Sequence, residues 1–204
     1  MKYIFVAGAP GSKWSSVVKN IYYSSSIDRS DFSEKRMYWH DASGETQLMH
    51  LGAYFDPGME FDLPPNLMTL SKDALEDIFN SAFTGDGIRI IKSHIFAHNI
   101  DFLKACWPDC SIVLVHRSDD ACLGWWVKCG HFNITYPKYD KYYKDLRTMA
   151  KIISEQNKDI LAAQQREGTE PSTNRELAQL LGLNPPPLNH VQDYSANDIR
   201  VKLI

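Results

Sequence analysis

Three short apolar runs, each ending in residues suited to chemistry, constrain this chain more than any other feature. Tyr3–Ala7 runs into Gly8-Ala9-Pro10-Gly11, Ile88–Ile91 into Lys92-Ser93-His94, and Ser111–His116 into Arg117-Ser118-Asp119-Asp120. Between and after them the apolar spacing turns helical. A helix is predicted from Ser15 to about Tyr23, and a second, capped by Ser71, to about Phe83. A third is expected near Asn99–Cys106, and a fourth from a Ser118 cap through about Cys129. A long amphipathic helix follows over Tyr142–Gln165. The last helix opens on a capping box, Thr173-x-x-Glu176, and stops at Gly182.

Near-continuous apolar strands alternating with helices predict an α/β fold, a parallel β-sheet flanked by helices on both faces. With 204 residues, one domain over 1–204 is expected. Residues 24–70 show no lasting period and read as a long, functional loop. The tail, Ile199–Ile204, is read either as an edge strand or as a surface segment. In parallel sheets ligands bind beyond the carboxyl ends of the strands, so the loops after Ala7, Ile91 and His116 are where function is expected.

Charge and composition narrow the class. The net charge is −3 and the pI about 6.1, which argues against a broad nucleic-acid surface. No apolar run approaches the roughly 20 residues a bilayer span requires. The N-terminus lacks the pattern of an export signal, and Cys106, Cys110, Cys122 and Cys129 read as reduced thiols, so a cytoplasmic protein is expected. Their C-x3-C and C-x6-C spacing suits zinc poorly, and no metal site is expected.

The first loop reads as a phosphate cradle: small residues allow successive backbone N–H groups to face one anion at a helix N-terminus. Set against GxxxxGK[ST], Gly8 and Ser15 fall in register, but Lys13 stands at the second glycine and Trp14 at the lysine. A nucleotide kinase would lack its central cation there.

The three strand-end segments together resemble the cytosolic-type sulfotransferases, a P-loop-related family dependent on 3′-phosphoadenosine 5′-phosphosulfate. That family carries a strand ending in Lys-Thr-His, similar to Lys92-Ser93-His94. A later strand ends in Arg before an acidic residue and a helix, similar to Arg117 through Trp125-Trp126. Its first loop, Pro-Lys-Ser-Gly-Thr-Thr-Trp, is similar to Pro10-Gly11-Ser12-Lys13-Trp14-Ser15-Ser16. The resemblance covers residues 3–23 and 87–132. It implies a P-loop nucleotide-binding-like fold of the sulfotransferase type and transfer of a sulfuryl group to a hydroxyl or amine.

By that resemblance His94 is the general base, with Lys92 and Lys13 as the cations that meet charge on the leaving nucleotide. Gly11, Ser12, Lys13, Trp14, Ser15 and Ser16 would form the donor loop, and Arg117 would hold the nucleotide 3′-phosphate. A salt bridge to Asp119 or Asp120 is the alternative for Arg117. The expected partner is a small acceptor, an alcohol, phenol, sugar or amine, and no metal is implied. Gly11 stands where the family has a lysine, and the family's Arg-Lys-Gly clasp is missing after Gly168. The other readings are a P-loop kinase for a small metabolite or nucleoside, and a non-catalytic nucleotide-binding protein of the same fold.

Aromatics make up 12% of the chain. The aromatic-rich stretch 37–61, with Tyr38, Trp39, Tyr54 and Phe55, together with Trp125, Trp126, Phe132, Tyr136 and Tyr139, is read either as an acceptor pocket or as ordinary core packing. His40 and His50 stand too far apart to suggest a metal pair.

Overall fold

A computed structural model describes residues 2–31, 37–39, 47–49, 51–59, 61–128, 145–166, 168–171, 173–184 and 198–204. The sheet strands are β1 (Tyr3–Gly8), β4 (Ala53–Tyr54), β5 (Arg89–Lys92), β6 (Ser111–His116) and β7 (Arg200–Leu203), in the order β4-β5-β1-β6-β7. The first four run parallel, and β7 pairs antiparallel with β6. A separate hairpin joins β2 (Met37–Trp39) to β3 (Gln47–Met49).

β1 lies between two parallel neighbours, and all six of its residues are buried. Alternation of side chains across a strand then divides the core in two. Tyr3, Phe5 and Ala7 face one layer, with Leu75 and Phe79 of α2 (Lys72–Asn80), Leu103 of α3 (Ile100–Cys106) and Ile160 and Ala163 of α5 (Leu146–Arg166). Ile4 and Val6 face the other, with Val17, Val18 and Ile21 of α1 (Trp14–Tyr22) and Leu177 and Ala178 of α6 (Asn174–Leu180). Helices on both faces are what two-sided burial of the strands requires. Burying a large aliphatic or aromatic side chain stabilises by roughly 1.5–3 kcal/mol, so β1 is a major contributor to the core.

Local signals set the helix ends. Ser71 Oγ accepts the Ala74 N–H, and Thr173 Oγ1 accepts the Glu176 N–H. α2 ends at Asn80, before Phe83, where Ser81 Oγ donates to the Ile78 carbonyl as the chain turns. α6 closes with Leu183 N–H on the Ala178 carbonyl and Gly182 N–H on that of Gln179, with Gly182 at φ 66°. That is the Schellman pattern a glycine stop predicts. α4 (Asp119–Lys128) begins with the Cys122 N–H on the Ser118 carbonyl, as the expected Ser118 start requires. Cys129 and 142–144 lie outside the described residues.

Two expectations change. The sheet is mixed, because the tail forms an antiparallel edge strand held by Ile112–Ile204 and Thr169–Leu203 backbone pairs. Residues 24–70 are not one loop: they hold the hairpin, β4, and a 3-10 turn at Leu67–Thr69. With two residues, β4 is too short for a period to register.

Candidate functional site

The loop after β1 is shaped by its own sequence. Pro10 fixes the first corner of a turn and Gly11, at φ 80°, the second, with Ser12 N–H donating to the Ala9 carbonyl at 3.0 Å. This is a type II turn, for which Pro-Gly is the favoured pair. Lys13 then takes a left-handed conformation (φ 61°, ψ 26°) as the residue entering α1, without a side-chain cap. For a non-glycine residue that costs roughly 1–2 kcal/mol, which the packing around it must offset. Ser12 Oγ is buried, has no hydrogen-bond partner among the described residues, and lies 2.7 Å from where a Gly8 Cβ would stand. A Gly11 Cβ would come within 2.0 Å of the Cys122 carbonyl, so α4 rests on the loop's backbone.

β5 delivers the next residues. Lys92 is fully buried, its ammonium 5.5 Å from the centre of the Trp14 ring and 5.9 Å from that of Tyr54. His94 is also buried, and its Nδ1 bonds the Gly8 carbonyl. A carbonyl only accepts, so Nδ1 carries the proton and Nε2 is the basic nitrogen of the neutral ring. Trp14 stacks on the imidazole, with centroids 4.0 Å apart and planes 9° from parallel, while Tyr54 meets it edge-on at 5.5 Å. Burial pushes the His94 pKa below its ordinary value, and Lys92 adds to that; Asp56 and the Gly8 carbonyl oppose it.

β6 brings Arg117. Its Nη1 donates to the carbonyls of Gly11 (3.3 Å) and Ala121 (3.1 Å), and its buried Nε has no partner among the described residues. The guanidinium therefore meets carbonyls in place of the carboxylates weighed from the sequence. Asp119 instead accepts from Asn157 Nδ2 at 2.7 Å, and the same nitrogen donates to the Arg117 carbonyl at 2.8 Å. Cys122 Sγ also donates to that carbonyl at 3.4 Å, and burial pushes its thiol pKa up to about 12.

The structure thus brings Gly8, Trp14, Lys92 and His94 into contact, and ties Gly11 to Arg117. Lys13 goes elsewhere: its ammonium sits 4.3 Å over the Trp125 ring, with Lys128 at 5.8 Å from the same ring. Ser15 and Ser16 fall in the first turn of α1, partly buried. Of the expected acceptor aromatics, Tyr54 borders the site, whereas Phe55 and Trp126 are core residues. His40, His50, Phe132, Tyr136 and Tyr139 lie outside the described residues, and so do the side chains of 37–39.

Sequence reasoning missed Asp56 and Asn157. Asp56 could be read only as the opening of an Asp-Pro-Gly turn, and Asn157 only as a polar position on a long helix. Among the described residues no cluster of three His, Cys, Asp or Glu side chains could hold a metal ion, and no helix is long and apolar enough to cross a membrane. Compared with known proteins, the chain matches no family model, no curated protein and no solved structure.

Proposed function

We propose that this chain is a sulfotransferase of the P-loop-related type, moving a sulfuryl group from 3′-phosphoadenosine 5′-phosphosulfate to a hydroxyl or amine of a small acceptor. One observation carries the proposal: the glycine-serine loop after β1 and the Lys92–His94 segment after β5 meet through the bond from His94 Nδ1 to the Gly8 carbonyl. A histidine fixed in this way, beside a buried lysine and a glycine-serine loop that leads into a helix, suits in-line transfer to an acceptor.

The residues suit the donor nucleotide. Ser12 Oγ, buried with no partner among the described residues, could donate to an anionic oxygen of the nucleotide. Arg117 Nε, equally without a partner there, could serve a second phosphate. When bound, the nucleotide supplies an activated sulfuryl group. His94, kept neutral by burial, takes the acceptor's proton on Nε2 while Trp14 and Gly8 hold the ring in place. Lys92 offsets negative charge in a dry setting where a cation acts strongly. A cytoplasmic setting fits the free thiols of Cys106, Cys110 and Cys122.

The kinase alternative is weakened at one residue. Trp14, at the position of a kinase's phosphate-binding lysine, is buried against His94. Calorimetry with 3′-phosphoadenosine 5′-phosphate against ATP–magnesium tests the choice. The bisphosphate is expected to bind without magnesium; binding of ATP–magnesium alone would overturn the proposal. His94→Ala is expected to spare nucleotide affinity and reduce transfer by at least about 100-fold, whereas Arg117→Ala weakens affinity first. Nucleotide binding with no transfer in the native chain would point to the non-catalytic alternative.

A further inference from the structure

Asp56 lies just past β4, is fully buried, and gathers three donors. Its Oδ1 accepts from Ser93 Oγ at 2.7 Å and from the His94 N–H at 2.9 Å, and its Oδ2 accepts from the Tyr54 hydroxyl at 3.2 Å. Burying a carboxylate carries a large desolvation penalty, and apolar packing serves stability alone at least as well. This one lies where the ends of two adjacent strands meet, at the residue where His94 leaves the sheet. These three donors come from Ser93 and His94 themselves and from Tyr54, whose ring meets the His94 ring edge-on.

We propose that Asp56 is a positioning residue for His94: it fixes the turn that hands the imidazole to the Gly8 carbonyl and the Trp14 face, and its charge stabilises a proton arriving on that ring. This rests on His94 being the base. Each element packed on the imidazole has a defined contribution. β4 brings Asp56 and the Tyr54 hydroxyl, β5 brings the opposing charge of Lys92, β1 brings the Gly8 carbonyl, and α1 brings the uncharged Trp14. Among the described residues, Asp56 is therefore the acidic group acting on His94 from these four elements. A proton moving from the acceptor to Nε2 makes an imidazolium that Lys92 disfavours and Asp56 favours.

Asp56→Asn tests this, since the amide oxygen can still accept from Ser93 and His94 while the charge is gone. The readout is the nitrogen NMR titration of His94, assigned by its loss in His94→Gln. The His94 midpoint is expected to move to lower pH, with the Nδ1–H tautomer retained. In Asp56→Ala the tautomer signature is expected to be lost as well. If the asparagine variant does not fold, Asp56→Glu keeps the charge but displaces it, and is expected to disturb the tautomer signature. Under transfer conditions, Asp56→Asn is expected to lower kcat by about tenfold and leave the nucleotide KM within about twofold. A His94 midpoint unmoved in a folded Asp56→Asn chain, or an undisturbed tautomer in Asp56→Glu, would overturn the proposal. The titration needs no turnover. A shifted midpoint in a chain that binds no bisphosphate would therefore sink the sulfotransferase reading and leave the coupling of Asp56 to His94 standing.

Discussion

Gly11 and Gly182 both hold positive φ, yet for different reasons, and their alanine variants separate the two. At Gly182 nothing lies within 4 Å of where a Cβ would stand, so alanine meets only the conformational cost of the left-handed region, about 1 kcal/mol. At Gly11 the same change adds a collision with the Cys122 carbonyl at 2.0 Å, backbone that α4 cannot move cheaply. Gly11→Ala is expected to lose well over about 2 kcal/mol and to pry α4 off the loop. Urea unfolding of the two variants measures the difference; equal losses would mean that α4 does not press on the loop. His94 makes a related point. Its lone-pair nitrogen is decided by a backbone carbonyl, so which nitrogen keeps the lone pair depends on Gly8, which has no side chain to suggest it.

β4 is the shortest element of the sheet, and the candidate site depends on it. Tyr54 pairs with Lys92 in parallel register, the Phe55 N–H donates to the Lys92 carbonyl at 2.7 Å, and Asp56 then reaches Ser93 and His94. A few residues of pairing therefore bring the Asp56 carboxylate to the His94 backbone. α6 is an ordinary case by comparison. It packs on α1 over Val17, Val18 and Ile21, and its start depends on Thr173 Oγ1. Thr173→Ala is expected to cost about 1 kcal/mol, read as a lower urea midpoint with an unchanged slope. Because α1 carries Trp14 at its first turn, looser packing of α6 is also expected to blunt the tryptophan signal from the His94 stack.

At the scale of the whole molecule, two histidines tie stability to pH. Burial lowers the pKa of His94 and of His116, where Arg200 adds to the effect and Asp119 opposes it. Both start from an ordinary value of 6.5, so the unfolded chain binds protons at a pH where the native chain still resists them. Stability is therefore full above about pH 6.5 and falls as the pH drops from there toward the lower native values, levelling once both states are protonated. Urea midpoints are expected to be lower at about pH 5.5 than at about pH 7.5. His94→Gln should flatten part of that slope; a slope equal to the native one would assign it to other groups.

What was legible in the sequence was local. Strand ends, the Pro-Gly turn, the Thr173 box and the Gly182 stop are each set by residues within a few positions of one another, and apolar periodicity extends only along one element. The three strand-end loops could be named as the candidate site for the same reason. Only the tertiary structure decided which groups meet. His94 finds Gly8 across 86 positions and Asp56 across 38, and Arg117 finds Gly11 across 106. These contacts follow from strand order and register, which place β5 and β6 on either side of β1. The same packing turned Lys13 toward Trp125 and made Trp14 the face against which His94 is held.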